Sequence, residues 1–142
     1  MKHIIIINGA NLNLLGTREP NIYGSESFDE FLLHLRTKYP HIEISFFQSN
    51  VEGSLVDALQ ASEKLDGVIL NAGGYTHTSV VIRDAVVALQ IPVIEVHISN
   101  IMKREEFRHT SLLSSVCSGT IFGFGLLSYE LAVIALQNKM LN

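Results

Sequence analysis

The sequence predicts an α/β fold in which helices cover both faces of a doubly wound parallel sheet. Five short runs rich in Ile and Val alternate with segments of helical periodicity. Most of these runs lack the apolar–polar alternation of a strand with one face in water, which is typical of strands buried on both faces. The chain has no linker, repeat or low-complexity stretch, so residues 1–142 are predicted to form a single domain.

The apolar runs are the candidate strands, in chain order. They are Ile4–Ile7, Ile42–Phe47, Val68–Leu70, Val93–Ile98 and Thr120–Phe124. The last run contains the fewest Ile and Val residues. It is still predicted to be a strand, because it lies between two helix-like segments and continues the alternation of strands and helices.

Helical spacing marks the segments between these runs. The first candidate helix has an apolar stripe from Phe28 to Tyr39, a possible capping box formed by Ser27 and Glu30, and a stop at Pro40. The other candidate helices are Leu55–Ser62, Thr78–Gln90, Lys103–Leu113 and Leu127–Met140.

Strands that alternate with helices are predicted to be parallel and joined by right-handed crossovers. Five such units in 142 residues resemble the flavodoxin-like class, with a five-stranded sheet in the order 2-1-3-4-5 between two helical layers. In this class, ligands bind beyond the carboxyl ends of the strands, where the strand order switches between the first and third strands.

Composition restricts the class of protein further. Hydrophobic residues make up 47% of the chain and charged residues only 17%, against about 25% in ordinary globular proteins, which argues against disorder. So few charges also suggest that more surface is buried than one small monomer buries, so a homo-oligomer is expected. The net charge is −4, and Lys103-Arg104 is the only basic cluster, so phosphate-driven nucleic-acid binding is not expected.

The same reading predicts a cytoplasmic protein without a membrane segment or a bound metal. The isoleucine run Ile4–Ile7 is shorter than a signal-peptide core, and no run reaches the length of a membrane span. A single cysteine, Cys117, cannot form an internal disulfide, and no Cys/His cluster has zinc-ligand spacing.

Polar segments follow the first and third predicted strands, and a further one lies at the end of the fourth. They are Asn8–Gly24, Asn71–Ser79 and Glu95–Asn100. None contains a dinucleotide or Walker-type glycine pattern, and Asn8 and Asn71 stand where a phospho-accepting receiver would need carboxylates. Their amides, glycines, imidazoles and a tyrosine instead suit a polyhydroxylated anionic small molecule.

The first of these segments is much longer than the usual strand–helix connection of about 2–6 residues. It carries Arg18 and Tyr23, and Gly9, Gly16 and Gly24 provide points where the backbone can bend. Long connections of this kind tend to be functional, so a lid that closes over the substrate is a reasonable hypothesis.

Six motifs, in order over nearly the whole chain, resemble those of the type II 3-dehydroquinate dehydratases. They are NGxNLNLLGxREPxxYG over Asn8–Gly24, FQSN over Phe47–Asn50, NxGGYTHTS over Asn71–Ser79, RDA over Arg83–Ala85, EVHxSN over Glu95–Asn100 and RxxFRH over Arg104–His109. Each motif alone is weak, whereas the six together are specific.

The resemblance implies a flavodoxin-like lyase of the shikimate pathway that converts 3-dehydroquinate to 3-dehydroshikimate without a cofactor. It makes Tyr23 the base that removes a proton beside the ketone, with Arg18 next to it. It makes His97 the general acid and Asn11 the group that stabilises the enolate oxygen, through a water. Glu95, two residues from His97 on the same strand face, could orient the imidazole.

The resemblance also implies a substrate site and an assembly. The side chains of Asn71, His77 and Arg108 would hold ring hydroxyls, and the backbone N–H groups of Ile98 and Ser99 would hold the substrate carboxylate. Asp84 would reach the site of a neighbouring subunit in a dodecamer built from trimers, which agrees with the homo-oligomer expected from composition.

Some positions depart from the family pattern. Ala10 and Ala72 stand where the family usually has proline, and Val51, Met102 and Ser128 also differ. Missing prolines would loosen two loops of the site and affect rate or affinity before the identity of the reaction. Two other functions stay open at this point: a binding or scaffold protein that has lost catalysis, and an enzyme acting on another carbohydrate acid.

Overall fold

The computed structural model describes residues 1–15 and 26–141. Over these residues the chain forms five strands, β1 (Lys2–Asn8), β2 (Ile42–Gln48), β3 (Gly67–Asn71), β4 (Val93–His97) and β5 (Gly119–Phe122). The α-helices in the same residues are α1 (Phe28–Lys38), α2 (Glu52–Ala61), α3 (Val80–Ala88) and α4 (Leu127–Leu141). The strands are all parallel, in the order β2-β1-β3-β4-β5. The predicted flavodoxin-like α/β class and strand order are confirmed.

Both faces of the sheet are covered, which explains the isoleucine runs. Successive side chains of a strand point to opposite faces, so Ile4 and Ile6 of β1 pack in one cluster with α1 and α4, while Ile7 packs in the other with α2 and α3. All three isoleucines are fully buried, and burying each contributes about 1.5–3 kcal/mol. Polar alternation in β1 would put a polar side chain into one of these two cores.

The register of the sheet aligns the carboxyl ends of the central strands. Asn8, the last residue of β1, lies opposite Asn71, the last residue of β3, and opposite Gln48 of β2. On the other side of β3, Leu70 lies opposite Glu95 of β4. The polar segments singled out in the sequence therefore leave the sheet at one edge.

Helix boundaries follow local capping more closely than periodicity. Ser27 caps α1 as predicted, because its Oγ accepts a hydrogen bond from the backbone N–H of Glu30 at 3.2 Å. The Ser79 Oγ caps α3 in the same way, accepting from Ile82 N–H at 3.1 Å. This helix starts later than predicted because residues 73–77 form a 3-10 turn before it.

The predicted helix over Lys103–Leu113 was wrong. Two short 3-10 turns, Ile101–Lys103 and Glu106–Arg108, are separated by the extended backbone of Arg104 and Glu105, and no α-helix follows. The segment lacks an apolar stripe that helical folding could bury, so packing supplies no stabilisation for a helix there. β5 is also shorter than predicted, because Gly123 turns the chain at φ +102°.

Across residues 1–15 and 26–141, no helix combines the length and apolar character needed to cross a bilayer.

Candidate active site

A pocket opens at the carboxyl ends of β1, β3 and β4, at the switch in strand order. It brings together most of the residues that the sequence analysis selected. The predicted residues that line it are Asn11, Asn71, His77, His97, Ile98, Ser99 and Arg108. Arg104, which the analysis did not select, lines it as well. Tyr23 and Arg18 lie outside the described residues, as does most of the predicted lid.

The loops that follow β1 and β3 are in direct backbone contact. Gly9 donates its N–H to the carbonyl oxygen of Asn71 at 2.7 Å. A Cβ on Gly9 would lie only 2.4 Å from the carbonyl oxygen of Ala72, and one on Gly73 would lie 2.9 Å from that of Ala10. Gly73 also has φ +62°, which favours glycine. Ala10 and Ala72 are thus the residues at which these loops meet.

Asn11 adopts a left-handed backbone at φ 71°, a conformation that asparagine tolerates better than most residues. Its N–H donates to the Asn50 Oδ1 at 2.9 Å. Gln48 donates from Nε2 to the same oxygen at 3.2 Å, and the Tyr75 hydroxyl donates to the backbone carbonyl of Asn50 at 2.8 Å. In the sequence, Asn50 stands out only as part of the FQSN motif. Its position just after the strand beside β1 was the signal that it could reach the β1 loop.

A buried tyrosine holds the floor of the pocket. The Tyr129 hydroxyl, on α4, donates to the Asn8 Oδ1 at 2.8 Å and accepts from the Asn71 Nδ2 at 2.8 Å. The Asn71 Oδ1 accepts from the N–H of Gly73 at 3.1 Å. Asn71 is only 3% exposed, and these bonds leave one proton of its amide nitrogen and one lone pair of its oxygen for a ligand. Tyr129 belongs to none of the six motifs, so its role was not predicted from the sequence.

His97 and Glu95 form a buried pair in the wall of the pocket. The His97 Nε2 lies 2.5 Å from the Glu95 Oε2, and Glu95 is fully buried. Since Nε2 faces the carboxylate, Nδ1 is the nitrogen left for a ligand. Three hydroxyls, from Ser111, Ser114 and Thr120, also reach the carboxylate. A carboxylate, a histidine and an open nitrogen are the parts of a general acid–base device.

The carboxylate of Glu95 is held in its ionised form. Burial acts to raise the pKa of Glu95, but hydrogen bonds from His97, Ser114 and Ser111, together with the His97 charge, outweigh burial and leave the pKa below its usual range. At neutral pH Glu95 is therefore an anion, and an anion at Oε2 favours a proton on the facing nitrogen of His97.

His77 lies beside His97 and is fixed by a different partner. The His77 Nδ1 is 2.8 Å from the carbonyl oxygen of Thr110, so that nitrogen carries the proton and Nε2 is left for a ligand. The two imidazole rings are nearly parallel, with centroids 6.3 Å apart. Two imidazoles thus border the same part of the pocket, each with one nitrogen uncommitted.

Cationic and backbone groups complete the pocket. Arg108 donates from Nε to Glu105 at 2.6 Å, and Arg104 donates from Nη1 to the Ser99 Oγ at 3.3 Å. Both arginines line the pocket together with Ile98 and Ser99, which follow β4. Guanidinium groups beside a turn at the end of a parallel strand suit a carboxylate ligand.

Asp84 does not line the pocket. It is exposed on α3, on the same helix face as Val80, Val81 and Val87, whose side chains are 59%, 51% and 57% exposed. An apolar stripe of this kind, interrupted by one carboxylate, is typical of a surface that another chain covers.

Within the described part of the chain, no group of three His, Cys, Asp or Glu side chains is placed to hold a metal ion. The donors in the pocket are amides, imidazoles, guanidinium groups and backbone N–H groups, which suit an oxygen-rich organic anion. The arrangement can bind such an anion and move a proton to or from it through His97.

Comparison with known proteins supports this chemistry. A model of the family described as dehydroquinase class II matches residues 2–137. The chain is 55% identical to the 3-dehydroquinate dehydratase of an Exiguobacterium species, over 94% of this chain and 92% of the relative. It is 54% identical to the enzyme of that name from Fusobacterium nucleatum, over 94% and 95% of the two chains.

Solved structures agree with the sequence relatives. The type II dehydroquinase of Butyrivibrio crossotus superposes with a TM-score of 0.90 at 46% identity, covering 96% of this chain and 97% of that one. The type II dehydroquinase of Propionibacterium acnes gives a TM-score of 0.91 at 38% identity, covering 100% and 98%.

Proposed function

The chain belongs to the class II dehydroquinase family, and we propose that it is a hydro-lyase that converts 3-dehydroquinate to 3-dehydroshikimate. The observation that carries the proposal is the buried Glu95–His97 pair, which presents a free imidazole nitrogen to a pocket bordered by guanidinium groups. Both a binding protein without catalysis and an enzyme for another carbohydrate acid are disfavoured by family membership over nearly the whole chain.

The proposed reaction is an anti elimination through an enolate. Tyr23, ionised beside Arg18, takes a proton from the carbon next to the ketone, and the electron pair moves to the ketone oxygen as an enolate. Asn11, through a water, stabilises that oxygen. The enolate then reforms the carbonyl as the carbon–oxygen bond on the next carbon breaks. His97 gives its Nδ1 proton to the departing hydroxyl, which leaves as water.

After this step the His97 ring is neutral and retains the Nε2 proton that faces Glu95. The carboxylate stabilises the imidazolium before the transfer and fixes the ring orientation throughout. The proton taken by Tyr23 must return to solvent and His97 must be protonated again before the next turnover, so the two groups reset separately.

Substrate binding is proposed to use the rest of the pocket. The backbone N–H groups of Ile98 and Ser99 hold the substrate carboxylate, as a turn of this kind suits an anion. Arg108, His77 and the remaining amide proton of Asn71 hold hydroxyls and fix the ring of the substrate. These contacts orient the reacting carbon between the base and the acid.

A spectrophotometric assay tests the reaction. The product is a conjugated enone, so purified protein with 3-dehydroquinate should produce a rise in ultraviolet absorbance after dialysis against EDTA and without added nucleotide. Tyr23→Phe should remain folded and lose at least about 100-fold in kcat, because the base is gone. No product from the wild-type protein at any enzyme concentration would favour a binding protein, and near-normal turnover by Tyr23→Phe would mean that another group is the base.

We further propose that the enzyme is a homo-oligomer, a dodecamer of trimers, in which Asp84 completes a neighbouring subunit's site. The exposed valines around Asp84 on α3 support burial of this helix face by another chain. Isolated Asp84→Ala and Tyr23→Phe enzymes should both be impaired. Co-expressed subunits of the two variants should recover about a quarter of wild-type activity, because random mixing pairs intact groups across one in four interfaces.

That complementation has a clear alternative outcome. If Asp84 serves the site of its own subunit, every site in the mixture lacks either Asp84 or Tyr23, and no activity returns. Sedimentation of the wild-type protein gives the size of the assembly independently. A fully active monomer would contradict the proposed oligomer.

The wider setting is proposed on the same basis. The activity would serve the shikimate pathway of aromatic amino acid biosynthesis in the cytoplasm, with residues 1–142 acting as one catalytic domain. No cofactor is expected, because elimination of water changes the overall oxidation state of neither substrate nor enzyme.

A further inference from the structure

We propose that Ser111 and Ser114 are positioning residues that fix the direction of proton donation in the Glu95–His97 pair. These two hydroxyls keep Glu95 as an ionised carboxylate that only accepts hydrogen bonds, and His97 then keeps Nδ1 as its reacting nitrogen. The kinetic consequences rest on the proposed function, whereas the proton arrangement itself does not. Neither serine lines the pocket, so both act through Glu95.

Ser111 can direct its proton only to the carboxylate. Its Oγ accepts the backbone N–H groups of Leu113 and Ser114, each at 3.0 Å. These two bonds occupy both lone pairs of the hydroxyl. Its own proton is then left for Glu95, whose Oε2 lies at 2.9 Å and Oε1 at 3.1 Å.

Ser114 donates to the other side of the same carboxylate. Its Oγ lies 2.6 Å from the Glu95 Oε1, in the range of a hydroxyl bound to an ionised oxygen. The Thr120 Oγ1 is 3.2 Å from the Ser114 Oγ and 3.3 Å from the Glu95 Oε1, so its single proton supports either neighbour. Proton donation through Ser114 therefore runs toward Glu95.

The consequence is that protonation of Glu95 is opposed at both oxygens. A proton on either oxygen would weaken the hydrogen bonds that Ser111, Ser114 and the His97 Nε2 make to this group, because a neutral carboxyl accepts less strongly than a carboxylate. Transfer of the His97 Nε2 proton to Glu95 would replace a carboxylate that these hydroxyls stabilise by a weaker, neutral acceptor, so the proton stays on His97. The exchangeable proton of His97 is confined to Nδ1, on the pocket side.

Few other titratable groups face the pair within the described residues. His77 stacks on His97, and Cys117 lies close enough for the Glu95 charge to act on its thiol. Burial, with a smaller contribution from Glu95, raises the pKa of Cys117 to about 12, so the thiol stays neutral. Among the described residues, the groups that hydrogen-bond to this carboxylate are His97 and the hydroxyls of Ser111, Ser114 and Thr120, and they offset its burial.

The test compares Ser114→Ala with Ser115→Ala. Both serines are exposed, but among the described residues only Ser114 of the two hydrogen-bonds to Glu95. Ser114 is the better target than Ser111, because its hydroxyl contacts only Glu95 and Thr120. We expect Ser114→Ala to lower kcat about tenfold with KM within about twofold. The acid limb of its kcat–pH profile should move to higher pH, because burial then raises the Glu95 pKa with less opposition.

Rescue and control variants separate positioning from general damage. Ser114→Thr keeps the hydroxyl and should restore both kcat and the acid limb, while Ser115→Ala should match the wild-type protein. A Ser114→Ala enzyme with wild-type kcat and acid limb would overturn the proposal. So would a loss that appears only in KM, or one that Ser114→Thr does not restore in a protein with native circular dichroism.

A measurement without substrate separates this proposal from the proposed function. The proton between the His97 Nε2 and Glu95 should give a far-downfield proton NMR resonance that Glu95→Gln abolishes. In Ser114→Ala we expect this resonance to move downfield, because a carboxylate that has lost one donor accepts more strongly from His97, and in Ser115→Ala we expect it to stay in place. An unchanged resonance in Ser114→Ala would overturn the proton arrangement, whether or not the wild-type protein turns over 3-dehydroquinate.

Discussion

Replacing Tyr129 by phenylalanine removes one oxygen atom from beneath the pocket and leaves the aromatic ring. The ring is fully buried, with an edge contact to Phe28 at 5.1 Å between centroids and a tilted contact to Phe31 at 5.9 Å. Phenylalanine can keep these contacts, so the substitution opens no cavity larger than a hydroxyl. The expected loss is therefore confined to hydrogen bonds.

The magnitude follows from the two groups that lose their partner. The Asn8 Oδ1 and the Asn71 Nδ2 each bond to the Tyr129 hydroxyl at 2.8 Å, and both side chains are buried. A buried polar group left without a partner costs about 1–3 kcal/mol, so with two such groups Tyr129→Phe should lower the free energy of unfolding by about 2–6 kcal/mol. Burial raises the pKa of Tyr129 well above its usual range, so the hydroxyl keeps its proton and the cost is independent of pH near neutrality.

Urea denaturation at one fixed protomer concentration measures this loss, because an oligomer's apparent stability depends on concentration. Tyr39→Phe is the matched control. Its hydroxyl donates to the Glu130 Oε2 at 2.9 Å, but that carboxylate keeps the Lys38 Nζ at 2.7 Å and lies near solvent. We expect Tyr39→Phe to cost no more than about 1 kcal/mol. Equal losses in the two variants would refute the assignment of Tyr129 as the support of the pocket floor.

Three further predictions concern the loops and the cysteine. Asn50→Ala removes the acceptor for the Asn11 N–H, so kcat on 3-dehydroquinate should fall about fivefold, while Val51→Ala should not change it. Gly73→Ala should destabilise the fold by about 1–3 kcal/mol in urea denaturation, because Gly73 has a positive φ and lies close to a backbone oxygen. Gly53→Ala should stabilise it by about 0.5–1 kcal/mol, because Gly53 lies in α2 with open space around it. Equal effects of the two substitutions would contradict this account. Burial and the nearby Glu95 charge raise the pKa of Cys117 to about 12. Iodoacetamide at pH 8 should therefore alkylate the folded protein at least about 100-fold more slowly than the urea-unfolded chain. Equal alkylation rates would refute the burial of the Cys117 thiol.

The sequence predicted the sheet well because burial on both faces leaves a direct compositional trace. A run such as Ile4–Ile7 is explained by two cores, and strand alternation then determines which edge the polar segments share. The helix predicted over Lys103–Leu113 was wrong because its residues have no apolar stripe and instead form two short turns that carry arginines to the pocket. Polar segments next to a site follow the geometry of the site rather than local periodicity.

The residues of the site were also predicted only in part. Motif residues such as His97 and Asn71 stand at strand ends, where topology brings them together, and the structure puts them in one pocket. Their supporting partners could not be predicted, because they are distant in sequence and chemically ordinary. Tyr129 lies 121 residues from Asn8, and Ser114 is one of four serines between positions 111 and 118. Only folding shows which hydroxyl meets which buried group.

Hydrogen exchange into the substrate tests the division of labour between Tyr23 and His97 most directly. In D₂O, His97→Ala keeps the proposed base and lacks the proposed acid, so NMR should show deuterium entering 3-dehydroquinate beside the ketone faster than product forms. Tyr23→Phe should show neither exchange nor product. If His97→Ala blocked exchange as completely as dehydration, or if Tyr23→Phe still exchanged the proton, the roles assigned to these two residues would be contradicted.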